Sequence, residues 1–177
     1  MAARLRCFAL TFLLWLVPHN AGNAEPCSDC AKKKLQKPGS IEALLSAVRK
    51  NVTAGKYSEA EAAARKAQLA AGRNLDQRAR ALSELGYALS CQKKYPEAIT
   101  AYDQSLRLRL TRVKTVAEMD SVAAELQNLA GLQRRVGLRP AARKSMDTAA
   151  DVVAKAHGNQ AEVTQLFRNA ARAFPRE

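Results

Sequence analysis

Cys27 and Cys30 are the residues of this 177-residue chain whose type and spacing most readily support chemistry. A Cys-x-x-Cys pair can form a disulfide, act as a thiol redox couple or supply half of a metal site. Covalent haem attachment is disfavoured, because it requires a histidine directly after the second cysteine and this chain has Ala31 there. A disulfide between Cys27 and Cys30 is the default expectation in an oxidising compartment, and redox activity and metal binding stay open as alternatives.

The rest of the chain offers few groups for catalysis or metal binding. His157 is the one histidine after residue 24, and it lies next to a predicted turn, where a solvated position at a helix end is the simplest interpretation. A structural zinc site needs four ligands, and Cys91 and His157 could join the cysteine pair only at a spacing that matches no compact zinc motif. The sequence contains no glycine-rich phosphate loop and no nucleophile-elbow motif. The chain is therefore not expected to be an enzyme, and no catalytic residue, metal site or cofactor is predicted.

Residues 1–24 have the layout of a secretory signal peptide. Arg4 and Arg6 precede an apolar run that ends before Pro18, and small residues lead up to Ala24. A membrane anchor is disfavoured, because a helical run of this length spans only about 16 Å, roughly half of a hydrocarbon core. The sequence thus predicts cleavage after Ala24 and export, to the periplasm if the source is bacterial and otherwise by secretion. Cleavage would lower the formal net charge from +13 to +11, an excess that raises affinity for anionic partners.

A polar, basic segment, residues 25–39, follows the predicted cleavage point and contains the cysteine pair. A lysine run such as Lys32, Lys33 and Lys34 is usually a solvated tail, and it could also act as an electrostatic tether to an anionic surface. A second basic stretch, "RLRLTRVK", contains Arg109, which we expect on the water-facing side of an extended helix.

Three segments of the chain resemble one another in sequence. They begin at Leu44, Leu82 and Leu126, at offsets of 38 and 44 residues. The middle segment carries a Leu-x-x-Leu-Gly-x-x-Leu pattern and then Ala98 and Tyr102 within "YPEAITAYDQSL". This pattern resembles the tetratricopeptide repeat (TPR), a helix-turn-helix unit with a usual period of about 34 residues. The larger offsets indicate insertions between the repeats.

The fold class predicted from this resemblance is all-α, a right-handed helical-repeat solenoid of about three TPR-like hairpins plus a C-terminal capping helix. Apolar residues recur at helical spacing, and no alternating strand pattern is present. We place the three repeats in residues 40–157 and the capping helix and C-terminus in residues 158–177. The hairpin helices should cross where both are small, so Gly86 is expected to contact the partner helix near Ala98.

Local signals predict where several helices begin. Ser40 can cap the first helix, and Pro96 and Pro140 lie just inside two later helices. Thr115 and Glu118 form a capping box.

The last helix is expected to start after Asn159 and to run from about residue 160 to residue 173. Its apolar stripe, expected to cover the end of the stack, consists of Val163, Leu166, Phe167 and Ala170. Paired carboxylates such as Glu59 and Glu61 are expected to face water.

The TPR resemblance implies protein or peptide binding through a concave groove that is lined by the first helix of each hairpin. The residues that the pattern places toward this groove are Arg49, Arg80, Tyr87, Gln127, Arg134 and Arg135. Arginine suits carboxylates, and tyrosine combines an apolar body with a polar tip, so an acidic partner segment is expected.

Two other functions stay open. One is an exported thiol–disulfide or metal-binding protein that uses Cys27 and Cys30. The other is a protein that binds an anionic membrane or polysaccharide surface. Nucleic acid is a less expected partner of an exported protein, and no membrane-spanning segment is expected after signal cleavage.

Overall fold

The computed structural model describes residues 40–173, and within this range the chain forms seven α-helices and no strand. The predicted all-α helical-repeat fold is confirmed. The predicted signal peptide and the basic segment with Cys27 and Cys30 lie outside the described residues. The helices are α1 (Ile41–Thr53), α2 (Tyr57–Ala70), α3 (Leu75–Cys91), α4 (Tyr95–Arg109), α5 (Val116–Arg135), α6 (Arg139–His157) and α7 (Glu162–Arg172).

Helices that follow one another in the chain pack against one another, which gives three hairpins, α1–α2, α3–α4 and α5–α6, with α7 against α6. All of them belong to one compact unit of the chain. In the part of the chain that the structure describes, no helix has the length and apolar character needed to cross a membrane.

The predicted caps define several helix starts. The Ser40 hydroxyl accepts a hydrogen bond from the backbone amide three residues on, at 3.2 Å, and the Asn74 side chain does the same at the start of α3. Thr115 and Glu118 exchange both bonds of a capping box at the start of α5. These bonds satisfy amides that have no partner within their own helix, so short sequence signals are sufficient to set where these helices begin.

The main core runs through all three hairpins and is built largely from leucine, valine and alanine. Tyr102 of α4 is its largest fully buried side chain. A Cβ atom placed on Gly86 would stand 3.0 Å from the Tyr102 ring. The prediction that Gly86 contacts the partner helix of its hairpin is therefore confirmed, with Tyr102 as the nearest neighbour, one helical turn beyond the expected Ala98.

Glu61 joins the first hairpin to the second, and the prediction that it faces water is wrong. Its carboxylate accepts hydrogen bonds from Lys94 Nζ at 2.9 Å, from Gln92 Nε2 at 2.8 Å and from Arg65 Nη2 at 2.8 Å. The bond from Lys94, supported by Arg65 and Gln92 and opposed by partial burial, lowers the pKa of Glu61 to about 2. The carboxylate thus ties α2 to the turn between α3 and α4.

Arg109 and Glu125 form a buried ion pair at the second junction, between α4 and α5. Arg109 Nη1 lies 2.8 Å from Glu125 Oε2, and the two side chains are 15% and 2% exposed. Arg109 Nη2 also donates to Ser121 Oγ at 2.9 Å. The prediction that Arg109 faces water is therefore wrong, because α5 covers the end of α4 after the chain reverses through residues 110–115.

The Glu125 carboxylate is only partly satisfied at this junction. Its second oxygen, Oε1, is buried and has no hydrogen-bond partner among the described residues. The nearby Ser105 hydroxyl donates to Ala79 O at 2.9 Å. Burial raises the pKa of Glu125, and the neighbouring Ser105 hydroxyl and the Arg109 charge oppose that rise.

The start of α7 differs from the prediction. The helix begins at Glu162, and its N-cap residue, Ala161, has no capping side chain. Asn159 does not cap it, because its Oδ1 accepts a hydrogen bond from Arg168 Nη2 at 2.7 Å, which draws the side chain along the outside of the helix.

The apolar stripe of α7 is only partly buried against the third hairpin. Phe167 and Ala170 pack against a small cluster with Ala171. Val163 and Leu166 remain 37% and 55% exposed. The helix covers the end of the repeats as expected, but only two of the four residues of the predicted stripe pack against the hairpin.

Candidate functional site

The residues with potential for covalent or metal chemistry do not assemble in the described part of the chain. Cys27 and Cys30 lie outside it. Cys91, the last residue of α3, is half-buried beside the main core and is in no disulfide within residues 40–173. His157 is not simply solvated, because its Nε2 lies 2.7 Å from Asp120 Oδ1 of α5. Within the described residues, no three His, Cys, Asp or Glu side chains are grouped so that they could hold a metal ion.

The exposed side of α1, α3 and α5, the first helix of each hairpin, is the candidate binding surface, and we call it the first-helix face. Five of the six predicted partner-binding residues have exposed side chains, and Tyr87 is half-buried against the main core. The structure places Arg49 in α1, Arg80 and Tyr87 in α3, and Gln127, Arg134 and Arg135 in α5.

Two reciprocal ion pairs close the first-helix face between α1 and α3. Arg49 Nε lies 2.7 Å from Glu84 Oε1. Arg80 forms a fork on Glu42, with Nη1–Oε1 and Nη2–Oε2 distances of 2.8 and 3.0 Å. Each arginine therefore already binds a carboxylate of the neighbouring repeat. An incoming acidic group would have to displace these carboxylates, although exposed pairs of this kind contribute only about 0–1 kcal/mol each.

The α5 part of the first-helix face has a different character. Gln127, Gly131, Arg134 and Arg135 recur every three or four residues and so share one side of the helix. Gly131 is half-exposed, and a Cβ atom placed there would have no neighbour within 4 Å. The Arg135 guanidinium lies 5.9 Å from the centroid of the Tyr95 ring, within range of a cation–π contact. Open space therefore lies directly in front of a stripe of polar and cationic groups.

The spacing of the first helices changes along the stack. The backbones of α1 and α3 approach each other more closely than those of α3 and α5. Side chains of α3 and α5 nevertheless share the main core. The sequence offset between equivalent positions is also larger here, 44 residues against 38 for the first pair. The added residues enlarge the connection from α4 to α5, and the wider backbone spacing of the first helices lies on the α3–α5 side.

Gly131 and Tyr95 are the surface residues that the sequence pattern missed. Gly131 stands 44 residues after Tyr87, so it occupies the equivalent position in the third repeat. The pattern identified that offset, and it could have shown that a bulky side chain in one repeat is replaced by none in the next. The Tyr95 contact has no such signal, because it joins α4 to the far end of α5.

No protein-family model matches the chain, and no curated protein matches it. Solved structures match it by fold. One, from Podosopora anserina and described as kinesin light chain nearly identical TPR-like repeats, has a TM-score of 0.60 and 14% sequence identity over 78% of this chain and 67% of that chain. A variant form of it has a TM-score of 0.60 and 15% identity over 77% of this chain and 65% of that chain. This chain thus spans about two thirds of the length of these structures. Helices α1 to α7 form a TPR-like helical-repeat fold, as the sequence pattern predicted.

Proposed function

We propose that the chain is an exported, non-enzymatic scaffold that binds a segment of a protein partner on the first-helix face, centred on the α5 part of that face. The observation that carries this proposal is the open space in front of Gly131, beside exposed Gln127, Arg134 and Arg135. Helical-repeat folds expose extended surfaces made of repeated elements, which suits the recognition of a peptide segment.

The residue types around Gly131 favour an acidic partner segment. Gln127 offers an amide that can both donate to and accept from a peptide backbone. Arg134 and Arg135 supply guanidinium groups, which match carboxylates with paired hydrogen bonds. Tyr87 and Tyr95 add apolar surface with a polar tip at either side. The basic balance of the chain, +11 after the predicted cleavage, would attract such a segment before contact.

We infer that the site is centred further along the stack than the sequence pattern suggested. Arg49 and Arg80 are held by Glu84 and Glu42, so they contribute less to a partner than the pattern suggested. Their carboxylates offset the charge of these two arginines. The α5 part has the open space in front of Gly131 beside the exposed Arg134 and Arg135, so the partner should bind mainly there.

Replacing Gly131 by tryptophan should reduce partner capture by about tenfold or more, the equivalent of about 1.4 kcal/mol, because the ring fills the space that the partner needs. The fold should tolerate the change, since nothing lies within 4 Å of the added Cβ atom. Capture from an extract of the native compartment, quantified by mass spectrometry, measures the effect.

Two variants control this experiment. Ala62→Trp adds the same ring to an exposed site on α2, and capture should be unchanged. Gly131→Ala adds no bulk, so capture should persist, and the chain should become more stable by about 0.5–1 kcal/mol because a helix-interior glycine is removed. Equal losses of capture with Gly131→Trp and Ala62→Trp would contradict a site on the first-helix face.

Export is the second part of the proposal, and it rests on the layout of residues 1–24. The exported protein should begin at Glu25. Its intact mass, measured after secretion or from the periplasm, should equal that of residues 25–177, with a further small loss for a disulfide if Cys27 and Cys30 are oxidised. A mass that retains residues 1–24 would contradict export by cleavage.

A further inference from the structure

A cleft lies between α4 and α6, the second helices of the second and third hairpins, and α5 forms its floor. It has a volume of about 260 Å³. Leu106, Leu126 and Leu129 supply an apolar floor, and Leu110, which is 37% exposed, stands at its edge. This α4–α6 cleft is separate from the first-helix face, because α4 and α6 contribute its walls.

Two cations flank the cleft without an ion-pair partner of their own. Within the described residues, neither Arg107 nor Lys144 makes an ion pair within 4 Å, although both are exposed and both line the cleft. Many other cations on the hairpins are already paired, including Arg65 with Glu61 and Arg109 with Glu125. The charge on the cleft walls is therefore available to an incoming group.

Asp103 is the one acidic side chain in the cleft lining. It lies one helical turn before Arg107 and is half-buried. Burial raises the pKa of Asp103, which Arg107 opposes, so the carboxylate is poorly stabilised where it stands. With Asp103 ionised the walls carry one net positive charge, and with Asp103 protonated they carry two. Gln133 and Ser145 hydrogen-bond to each other at 2.8 Å, which satisfies the polar groups nearest the floor.

We propose that the α4–α6 cleft binds a short segment of a partner protein that carries aliphatic side chains flanked by carboxylates. The aliphatic group would pack on Leu106, Leu126 and Leu129. Its apolar surface would be removed from water without burying an unpaired polar group. The carboxylates would face Arg107 and Lys144 across the opening. The cleft extends for about two helical turns along α4, from Asp103 to Leu110, or roughly 10 Å. This length is enough for such a segment and too short for a long acyl chain.

Charge argues against the chain's own N-terminal segment as the occupant. Residues 25–39 carry four lysines against two carboxylates, so they would be repelled by the same walls. The partner segment is therefore of opposite charge to this chain. Binding here would give the scaffold a second contact surface, on the other side of α5 from the site proposed above.

The test uses the full, isotopically labelled chain and the synthetic peptide EELLEELLEE. Amide chemical shifts should change around Leu110, Ala141 and Thr148 of the cleft. The charge-reversed peptide KKLLKKLLKK and the apolar-deleted peptide EESSEESSEE should each bind at least about tenfold more weakly, because each lacks one of the two matched chemistries.

A matched pair of variants tests the cationic walls. Arg107→Glu with Lys144→Glu should weaken binding of EELLEELLEE by about tenfold or more, which at RT ln 10 is about 1.4 kcal/mol. Lys66→Glu with Lys155→Glu makes the same change in net charge on α2 and α6 outside the cleft lining, and binding should change by less than about twofold.

Three outcomes would overturn the cleft proposal. The first is a set of shifts confined to the first-helix face, which would leave the proposed scaffold function intact. The second is binding of EESSEESSEE as tight as that of EELLEELLEE, which would reduce the attraction to charge alone. The third is equal loss of binding in both pairs of variants.

Discussion

Replacing Arg109 by methionine should destabilise the chain by about 3 kcal/mol at pH 7, because the substitution leaves a buried carboxylate without its counter-ion. The Glu125 side chain is 2% exposed, and its second oxygen already lacks a hydrogen-bond partner. Urea denaturation followed by far-ultraviolet circular dichroism measures the change in the free energy of unfolding.

The loss in Arg109→Met should depend on pH in a defined direction. Burial raises the pKa of Glu125 above its ordinary value of 4.5, so the folded chain binds this proton more tightly than the unfolded chain does. A group with a raised pKa in the folded state contributes stability below its unfolded pKa, and this is lost as the pH rises through the folded value. Taking up a proton at pH 7 costs a carboxyl of pKa 4.5 about 3.4 kcal/mol. The deficit of Arg109→Met should therefore shrink as the pH falls to 4.5.

Two controls separate burial of the charge from simple loss of an arginine. Arg112→Met removes an exposed partner of Asp76 from the nearby connection and should cost at most about 1 kcal/mol. Arg109→Met combined with Glu125→Leu removes both charges and should recover most of the stability, since apolar replacements of buried pairs are often neutral. A double variant as unstable as Arg109→Met alone would contradict the role given to the unpaired carboxylate.

Replacing Gly86 by leucine should also cost about 3 kcal/mol, the upper end of the range for overpacking a core. The new Cβ atom would stand 3.0 Å from the ring of Tyr102, which is 2% exposed and has little room to move. The gain in helix propensity from removing a glycine, about 1 kcal/mol, is smaller than this clash. Thermal and urea unfolding of the variant measure the loss.

A double-mutant cycle identifies the Tyr102 ring as the cause. Tyr102→Ala alone should cost about 3–5 kcal/mol, because it opens a cavity in the main core. In that background Gly86→Leu should cost at least about 1 kcal/mol less than in the natural chain, since the obstacle has gone. Strictly additive effects would mean that Gly86 is small for another reason.

The sequence predicts those features that depend on neighbours in the chain. The cap at Ser40 and the capping box of Thr115 and Glu118 involve residues three positions apart, so a local pattern is sufficient. Gly86 was predicted from a repeat motif, in which a small residue marks where two helices of one hairpin cross. Periodicity and repetition therefore predicted the fold class and the hairpin order.

The roles that the sequence did not predict depend on contacts between residues far apart in the chain. Arg49 and Arg80 were predicted as binding residues from their side of the helix, but their carboxylate partners lie 35 and 38 residues away. Arg109 was predicted to face water, but α5 covers it. Asn159 failed as a cap because Arg168 competes for its side chain. In each case a partner from another turn or element set the role of a polar residue, and a single sequence does not identify that partner.

The central claim is that a partner segment lies on the first-helix face beside α5. The most direct measurement places the photo-crosslinking residue p-benzoylphenylalanine at Gln127 in the full chain and, separately, at Lys66 of α2, in the native compartment. We predict a strong partner crosslink from position 127 and little from position 66. Adding Gly131→Trp to the same chain should reduce the crosslink from position 127. Equal crosslinking from both positions, or crosslinking from position 66 alone, would contradict the claim.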